Sequence, residues 1–270
     1  MSNVVSIIVT FNPDIERFRN VIEPITKDGI KVVIVDNHSD NLASLKSTFC
    51  SYNIDYIELE CNKGISSALN IGVKYVKTRF KPKWILLLDQ DTIVDDNYSH
   101  YLIQHVKEKL KDFDKCCIIR GNERLVDRKD LILKFKTEIL SGNLIRSSVF
   151  DLVQFREDFF MDFVDTDFFR KVAKLHLICM KDLSIGMNHS LGVKINVMGR
   201  EMNYENSNRL FYMIRNSTIL FAENPIDIKV VIAAYKNMLP VALTEGFKKT
   251  IKILFSSIFS SFKYIVCKNS

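Results

Sequence analysis

Residues 84–92 read Trp-Ile-Leu-Leu-Leu-Asp-Gln-Asp-Thr. Five consecutive apolar residues suit a strand buried on both faces, as the strands of a parallel sheet are. The run then stops at an acid. Alternate strand residues project to one side, so Asp89 and Asp91 can face a single site. Two hard oxygen donors suit Mg²⁺ or Mn²⁺, and such an ion bridges well to diphosphate oxygens and stabilises them as they leave.

The same grammar extends upstream. Val4–Val9 is another β-branched run, and residues 31–35 (Lys-Val-Val-Ile-Val) a third, closed by Asp36. Residues 56–59 form a short strand. Helical patterns fill the gaps: Pro13-Asp14 through Lys27, Asn41 through Ser51, and Gly64 through Phe80. Strand and helix alternating at this spacing predict an α/β doubly wound, mostly parallel sheet flanked by helices, with ligands at the carboxyl ends of the strands. There Asp36 can accept a hydrogen bond from ribose hydroxyls or from a pyrimidine N3–H. Residues 62–72 (Asn-Lys-Gly-Ile-Ser-Ser-Ala-Leu-Asn-Ile-Gly) open a helix. Gly64 allows close backbone approach, Lys63 and the helix start favour an anion, and Ala68 with Gly72 leave a smooth face for packing.

Further on, a helix is expected over 95–110 and short strands at 116–119 and within 131–145, around a turn at Ser141-Gly142. A helix at 163–173, a strand at 178–180 and a long helix at 203–221 follow. Beyond Asn224-Pro225 the composition shifts to Lys, Ile, Phe and Ser. From residue 247, Phe247, Ile251, Leu254, Phe255, Ile258, Phe262 and Ile265 share one helical face, with Lys249, Lys252, Ser256, Ser260 and Lys263 on the other. This predicts a basic amphipathic helix. The expected division is therefore 1–224 for the sheet domain and 225–270 for a helical extension.

The 270 residues are 47% hydrophobic with only 9 Gly and 5 Pro, which excludes disordered, collagen-like and low-complexity chains. A formal charge of +6 without a sharp basic stripe argues against a nucleic-acid binder and fits an anionic substrate or membrane surface. Six cysteines with no CxxC pair read as buried reduced thiols of a cytosolic protein. No signal peptide is expected at the N-terminus. No uninterrupted apolar run of about 20 residues predicts a transmembrane helix.

Four patterns recur together: Val9-Thr10-Phe11-Asn12-Pro13, Val35-Asp36-Asn37, Asn62-x-Gly64-x3-Ala68-x-Asn70-x-Gly72 and Asp89-x-Asp91. In order and spacing the chain resembles family 2 glycosyltransferases of GT-A fold over roughly residues 4–221, and within them bacterial rhamnosyltransferases of surface-polysaccharide synthesis. The resemblance implies a donor site using Thr10, Phe11, Asn12, Asp36, Asn62, Gly64, Asn70 and Asp89, and a metal site of Asp91, Asp89 and His189. It implies a catalytic base in the acidic segment 158–167, Asp165 by position or else Asp162. Ser141-Gly142-Asn143 resembles the turn beside the acceptor, and Arg209 and Arg215 match an Arg-rich helix that clamps phosphate. Where the family more usually carries Glu two residues past the base, this chain has Asp167.

These resemblances imply a metal-dependent, inverting hexosyltransferase. It moves L-rhamnose from dTDP-rhamnose to a hydroxyl of a lipid-linked oligosaccharide, for O-antigen or capsule, on the cytoplasmic face of the membrane. A UDP-hexose transferase of the same fold is the alternative, and a non-catalytic nucleotide-sugar binding module a third reading. A nucleotidyltransferase would want an early Gly-rich, Lys-containing signature, and residues 10–18 do not supply one.

Overall fold

The computed structural model describes residues 3–123, 130–189, 193–197, 199–224 and 228–269. The chain divides into two compact units. One comprises Met1–Glu157 with Asp165–Ser190, the other Asp158–Val164 with Leu191–Ser270.

The first unit runs β1 (Val4–Thr10), α1 (Ile15–Lys27), β2 (Lys31–Asp36), α2 (Leu42–Thr48), β3 (Ile54–Glu58), α3 (Gly64–Arg79) and β4 (Trp84–Asp89). It continues through β5 (Ile93–Val94), α4 (Tyr98–Lys109), β6 (Cys116–Asn122), β7 (Ile132–Lys134), β8 (Asn143–Arg146), α5 (Val164–Lys174, its first residue assigned to the other unit) and β9 (Ile178–Asn188). The sheet order is β3-β2-β1-β4-β8-β6-β9-β5, with β7 paired to β9. β3, β2, β1 and β4 are parallel, as the apolar runs predict; β8 enters antiparallel between β4 and β6. Helix α1 starts at Asp14, whose carboxylate accepts the Arg17 N–H at 3.1 Å, and buries Phe18, Val21, Ile22 and Ile25 at helical spacing. On α3 a Cβ at Gly72 would stand 2.9 Å from the methyls of both Ile7 and Val35, so the smooth face lets this helix press onto β1 and β2.

Register is what positions the site. Val9 pairs with Asp89 and Thr10 with Asp36, so β2 and β4 end within one residue of each other on either side of β1.

Several local expectations are corrected. β7 and β8 lie either side of the turn at residues 141–142 as expected, but within 131–145 only these short segments are strand, and β7 joins β9. β9 runs 11 residues, past the expected 178–180, because its polar Asp182 is satisfied inside, bonded to His105 and Ser184. The helix expected over 95–110 starts at Tyr98, because Asp95 instead accepts the Gly186 N–H. All six cysteines are free, but Cys50, Cys61 and Cys267 are exposed rather than buried. Burial pushes the Cys116 and Cys179 thiols up to about 12, which keeps them protonated and inert.

The second unit holds β10 (Val193–Val197), β11 (Arg200–Tyr204), α6 (Ser207–Glu223), α7 (Ile228–Lys236), α8 (Met238–Glu245) and α9 (Phe247–Asn269). The β10–β11 hairpin takes residues 203–204 from the expected long helix, which starts only after Asn206, whose side chain caps the Arg209 N–H at 3.0 Å. Leu210, Ile214 and Val241 form the core, joined by Leu254 and Ile258 of α9. Averaged over a window rather than sought as an unbroken run, the α9 stretch Phe247–Lys268 is long and apolar enough to cross a membrane, with mean hydropathy 1.3. That corrects the expectation of no such helix; its few scattered lysines broke the run without lowering the average enough.

Glu245 ties this unit together. Its carboxylate accepts from the Tyr204 hydroxyl (2.8 Å), the Ser207 N–H (2.8 Å) and Lys249 Nζ (2.5 Å). The Lys249 bond, then those from Tyr204 and Ser207, bring its pKa down to about 2. A depressed carboxylate stabilises the fold above its unfolded value and loses that contribution as pH falls toward about 2. Glu245→Gln is expected to cost about 1–2 kcal/mol at neutral pH. In thermal melts from pH 6 to 2 the variant's deficit should shrink; a deficit constant with pH would place the stabilisation elsewhere.

Candidate active site

Three strand ends supply the site. At the end of β2, Asp36 is fully buried. One carboxylate oxygen accepts from Thr10 Oγ1 at 2.9 Å and the other from the Ser39 N–H at 2.8 Å. Ser39 Oγ in turn accepts the Asn12 N–H at 2.8 Å, and Asn12 Oδ1 accepts the Asp40 N–H at 2.7 Å. Asp36 thus stitches the turn after β2 to the turn after β1, and a ligand reaches its carboxylate only if that stitching opens. Phe11, 46% exposed, presents its ring at the same edge. Asn12 holds φ +47°, a left-handed value that asparagine tolerates better than most side chains.

At the end of β4, Asp89 and Asp91 share a side as alternation predicts, and Gln90 turns the other way. The Phe11 N–H donates to Gln90 Oε1 at 2.8 Å, and Gln90 Nε2 donates to the Phe11 carbonyl at 3.3 Å. This amide pair locks the β1 turn to the acidic turn. The third contributor is His189, immediately after β9. One ligand atom each from Asp89, Asp91 and His189 lie within 4.8 Å of one another, all three residues partly buried. Two carboxylates and an imidazole are a donor set that suits a hard divalent ion, Mg²⁺ or Mn²⁺.

A chain of hydroxyls holds that group. The Asp89 N–H donates to Ser141 Oγ (2.8 Å), Ser141 donates to Thr92 Oγ1 (2.7 Å), and Thr92 Oγ1 meets His189 Nδ1 at 2.7 Å. His189 Nδ1 also lies 3.5 Å from Asp91 Oδ1. Ser141 and Thr92 are buried, so the chain is shielded from water. Gly142 is required beside it: φ is +82°, and a Cβ would fall 2.1 Å from Met187 Sδ.

The helix-opening motif divides. Asn62 Oδ1 accepts the Gly64 N–H at 3.0 Å, Gly64 takes φ +79°, and Asn37 Oδ1 accepts the Lys63 N–H at 2.8 Å, which anchors this loop beside the end of β2. Asn70 is not brought to the acids. Its side chain pairs with the backbone of Phe155 (2.9 and 3.1 Å) and with Glu157 (3.0 Å).

The acids of segment 158–167 have separate partners. Asp167 is buried and ion-paired with Arg156 (3.5 Å) and Lys171 (2.6 Å), a supporting role that suits its short side chain. Asp162 accepts from Arg209 Nε at 3.0 and 3.2 Å, and Arg209 also holds Glu205 at 2.7 Å. Each of these two carboxylates thus has its own counter-charge. Asp165 is half-buried in the first turn of α5, with Oδ1 accepting the Thr166 N–H at 2.7 Å. Just before it, Asp162 and Phe163 both take left-handed φ (+58° and +60°), an unusual pair for side-chain-bearing residues. Asn216 Nδ2 pins that turn through the carbonyls of Met161 (2.8 Å) and Asp162 (3.1 Å). Arg215 donates to the Asp158 carbonyl, Asn216 and Ser260, and its guanidinium lies 5.5 Å from the Tyr264 ring centre.

Gln90, Thr92 and Ser39 were not singled out by sequence reasoning. Gln90 could have been found, because alternation puts it on the side opposite Asp89 and Asp91; Thr92 and Ser39 carry no local signal.

Fold and acidic strand ends together define a glycosyltransferase of GT-A type. The chain belongs to glycosyl transferase family 2, which it matches over residues 6–164. It is 27% identical over 249 residues to the dTDP-rhamnosyl transferase RfbF of Shigella flexneri, covering 84% of this chain and 82% of that one. It is 29% identical over 107 residues to poly-beta-1,6-N-acetyl-D-glucosamine synthase of Staphylococcus epidermidis, covering 39% of this chain but only 24% of the synthase. Among solved structures, S. aureus TarS 1–349 in complex with UDP-GlcNAc superposes with TM-score 0.56 at 14% identity, over 98% of this chain and 91% of that 1–349 chain. GalNAc-T7 with UDP, GalNAc and Mn²⁺ superposes with TM-score 0.57 at 11% identity, over 82% of this chain and 50% of that one.

Proposed function

We propose that this chain is an inverting, metal-dependent rhamnosyltransferase, moving L-rhamnose from dTDP-rhamnose to a hydroxyl of a lipid-linked oligosaccharide in surface-polysaccharide (O-antigen or capsule) synthesis. The observation that carries the reading is the ending of β2 and β4 within one residue of each other on either side of β1, with His189 brought to Asp89 and Asp91. Strand spacing puts Asp36 and Asp89 roughly 10 Å apart, a span a nucleoside diphosphate can bridge. The similarity to a dTDP-rhamnosyl transferase over most of both chains favours rhamnose.

In this reading the base lies between the Phe11 edge and the loop that Asp36 holds, and the Gly64 turn accepts the ribose side. Asp89, Asp91 and His189 would hold the divalent ion, which would supply positive charge to offset that of the departing diphosphate. Asp165 takes the proton from the acceptor hydroxyl, whose oxygen attacks the anomeric carbon as its bond to the diphosphate oxygen breaks. A single displacement from the opposite face inverts that carbon. Asp162 is the weaker base candidate because its carboxylate is committed to Arg209. Arg209, exposed where Arg215 is only partly so, is the more accessible phosphate partner, although Asp162 and Glu205 hold its Nε and Nη1. Residues 1–224 carry the transfer, and 225–270 hold the protein on the cytoplasmic face of the membrane that bears the acceptor.

A UDP-hexose transferase is the second reading, favoured by the UDP and UDP-GlcNAc complexes of the TarS fold. Thymine and uracil share their hydrogen-bonding edge, so the two donors differ at one methyl. A thermal-shift panel of dTDP, UDP and their sugars with Mn²⁺ separates them. Stabilisation of about 2–3 kcal/mol at a hundredfold excess over Kd is expected for dTDP-rhamnose. Selective response to a UDP-sugar would transfer the assignment, and no response to any would end it.

A further inference from the structure

We propose that α9 is an in-plane membrane helix that inserts its phenylalanine sector into an anionic lipid surface while its serine face stays packed on α6. This deepens the membrane-surface part of the reading above and rests on it. The sequence pattern put Ser256 and Ser260 with the lysines opposite one apolar face, and Ser256, Lys252 and Lys263 are exposed. The inward-packed residues are other small ones, which that pattern did not single out. Thr250, Ser257 and Ser261 are the buried residues of α9, and Ser261 Oγ donates to the Arg215 carbonyl of α6 at 3.0 Å. Small hydroxyl side chains let the two helices approach closely and satisfy their own donors within the helix pair.

What is left outside is apolar. Phe247, Ile251, Phe255, Phe259, Phe262 and Val266 are between 50% and 73% exposed. At about 100° per residue they fall within an arc of about 120°. A continuous aromatic stripe of this length is rare on a surface that faces only water. Successive members are about 3.8 residues apart on average, wider than the 3.5 of a left-handed coiled-coil seam, so a second copy of the helix fits it poorly.

Charge selects the partner. Residues 228–270 contain seven lysines against Glu245 alone, which equals the whole formal charge of +6. Lys249 and Lys268 are paired with Glu245 and Glu223. Among the described residues Lys248, Lys252 and Lys263 have no carboxylate partner, and they lie along one edge of the phenylalanine sector, where lipid phosphates would meet them. Crossing the bilayer is disfavoured although α9 is long enough, since Arg215 donates to Ser260 of α9 and would be carried into hydrocarbon with it.

The test is co-sedimentation of the full chain with phosphatidylcholine vesicles and with equimolar phosphatidylcholine–phosphatidylglycerol vesicles. Binding is expected to the mixed vesicles, at least tenfold tighter than to phosphatidylcholine alone, and to weaken with salt. Phe255→Ser with Phe259→Ser should reduce it at least tenfold with an unchanged melting temperature, both side chains being exposed. Lys248→Gln, Lys252→Gln and Lys263→Gln together should remove the lipid-charge preference. Phe259→Trp fluorescence should be quenched by lipids brominated near the headgroup more than by those brominated near the chain ends. Equal binding to both vesicle types, no binding, chain-end quenching, or a dimer that the phenylalanine variants dissolve would each overturn the proposal. Nucleotide thermal shifts, measured without vesicles, report the donor reading separately: vesicle binding can fail while they persist, and the reverse.

Discussion

Asp165→Asn is expected to lower turnover by about 10²–10⁴-fold, the contribution of a positioned general base, while leaving donor affinity within about twofold. Asparagine matches the shape of aspartate, and its oxygen can still accept the Thr166 N–H that Asp165 Oδ1 accepts at 2.7 Å. The first turn of α5 should therefore persist, and only the capacity to take a proton is removed. Single-turnover rates and nucleotide thermal shifts on one preparation separate these effects. Wild-type turnover would move the base elsewhere. Asp162→Asn is the informative companion: it removes the charge opposite Arg209, so it should show in the melting temperature before it shows in the rate.

Asp91→Ala is expected to abolish the metal-dependent part of donor affinity. Outer partners of a metal site typically carry about 10–100-fold in metal affinity, and loss of a carboxylate ligand should exceed that. Of the three donors within 4.8 Å of one another, Asp91 is the one whose oxygen also lies 3.5 Å from His189 Nδ1. Its loss therefore removes a charge and the longer of the two contacts to His189 Nδ1, leaving the one from Thr92. Titration calorimetry with and without EDTA reads the nucleotide arm, and Mn²⁺ electron paramagnetic resonance reads the ion alone. Equal nucleotide affinity with and without EDTA in the wild type would show that the ion is held elsewhere or not at all. Thr92→Val should be milder, because it removes the hydroxyl that orients His189 but no ligand.

In the parallel half of the sheet β1, β2 and β4 were legible because each is a near-continuous β-branched or aliphatic run buried on both faces, whereas β3, with Asp55 and Glu58, is only partly buried. Asp36 and Asp89 were legible for a related reason: a polar residue that closes such a run has to sit at the sheet edge. The mixed half was not. β9 carries Asp182, Ser184 and Lys181, polar residues that a local pattern reads as loop, and their partners His105 and Glu138 are 77 and 43 residues away. Residues 203–204 at the end of β11 were read as helix because residues 203–206 continue a helical pattern until Asn206 offers its cap.

By itself the sequence determined period, punctuation and residue chemistry: which segments are strands of the parallel core, where their acids stop, and which residues of α9 share a face. Tertiary structure alone decided that His189 meets Thr92 across 97 positions, that Asp36 turns inward to hold a loop, and that α9 packs by its serines. The physical reason is that periodicity follows from the local backbone, whereas a hydrogen-bond partner or an inward face is chosen by whichever distant surface packs closest.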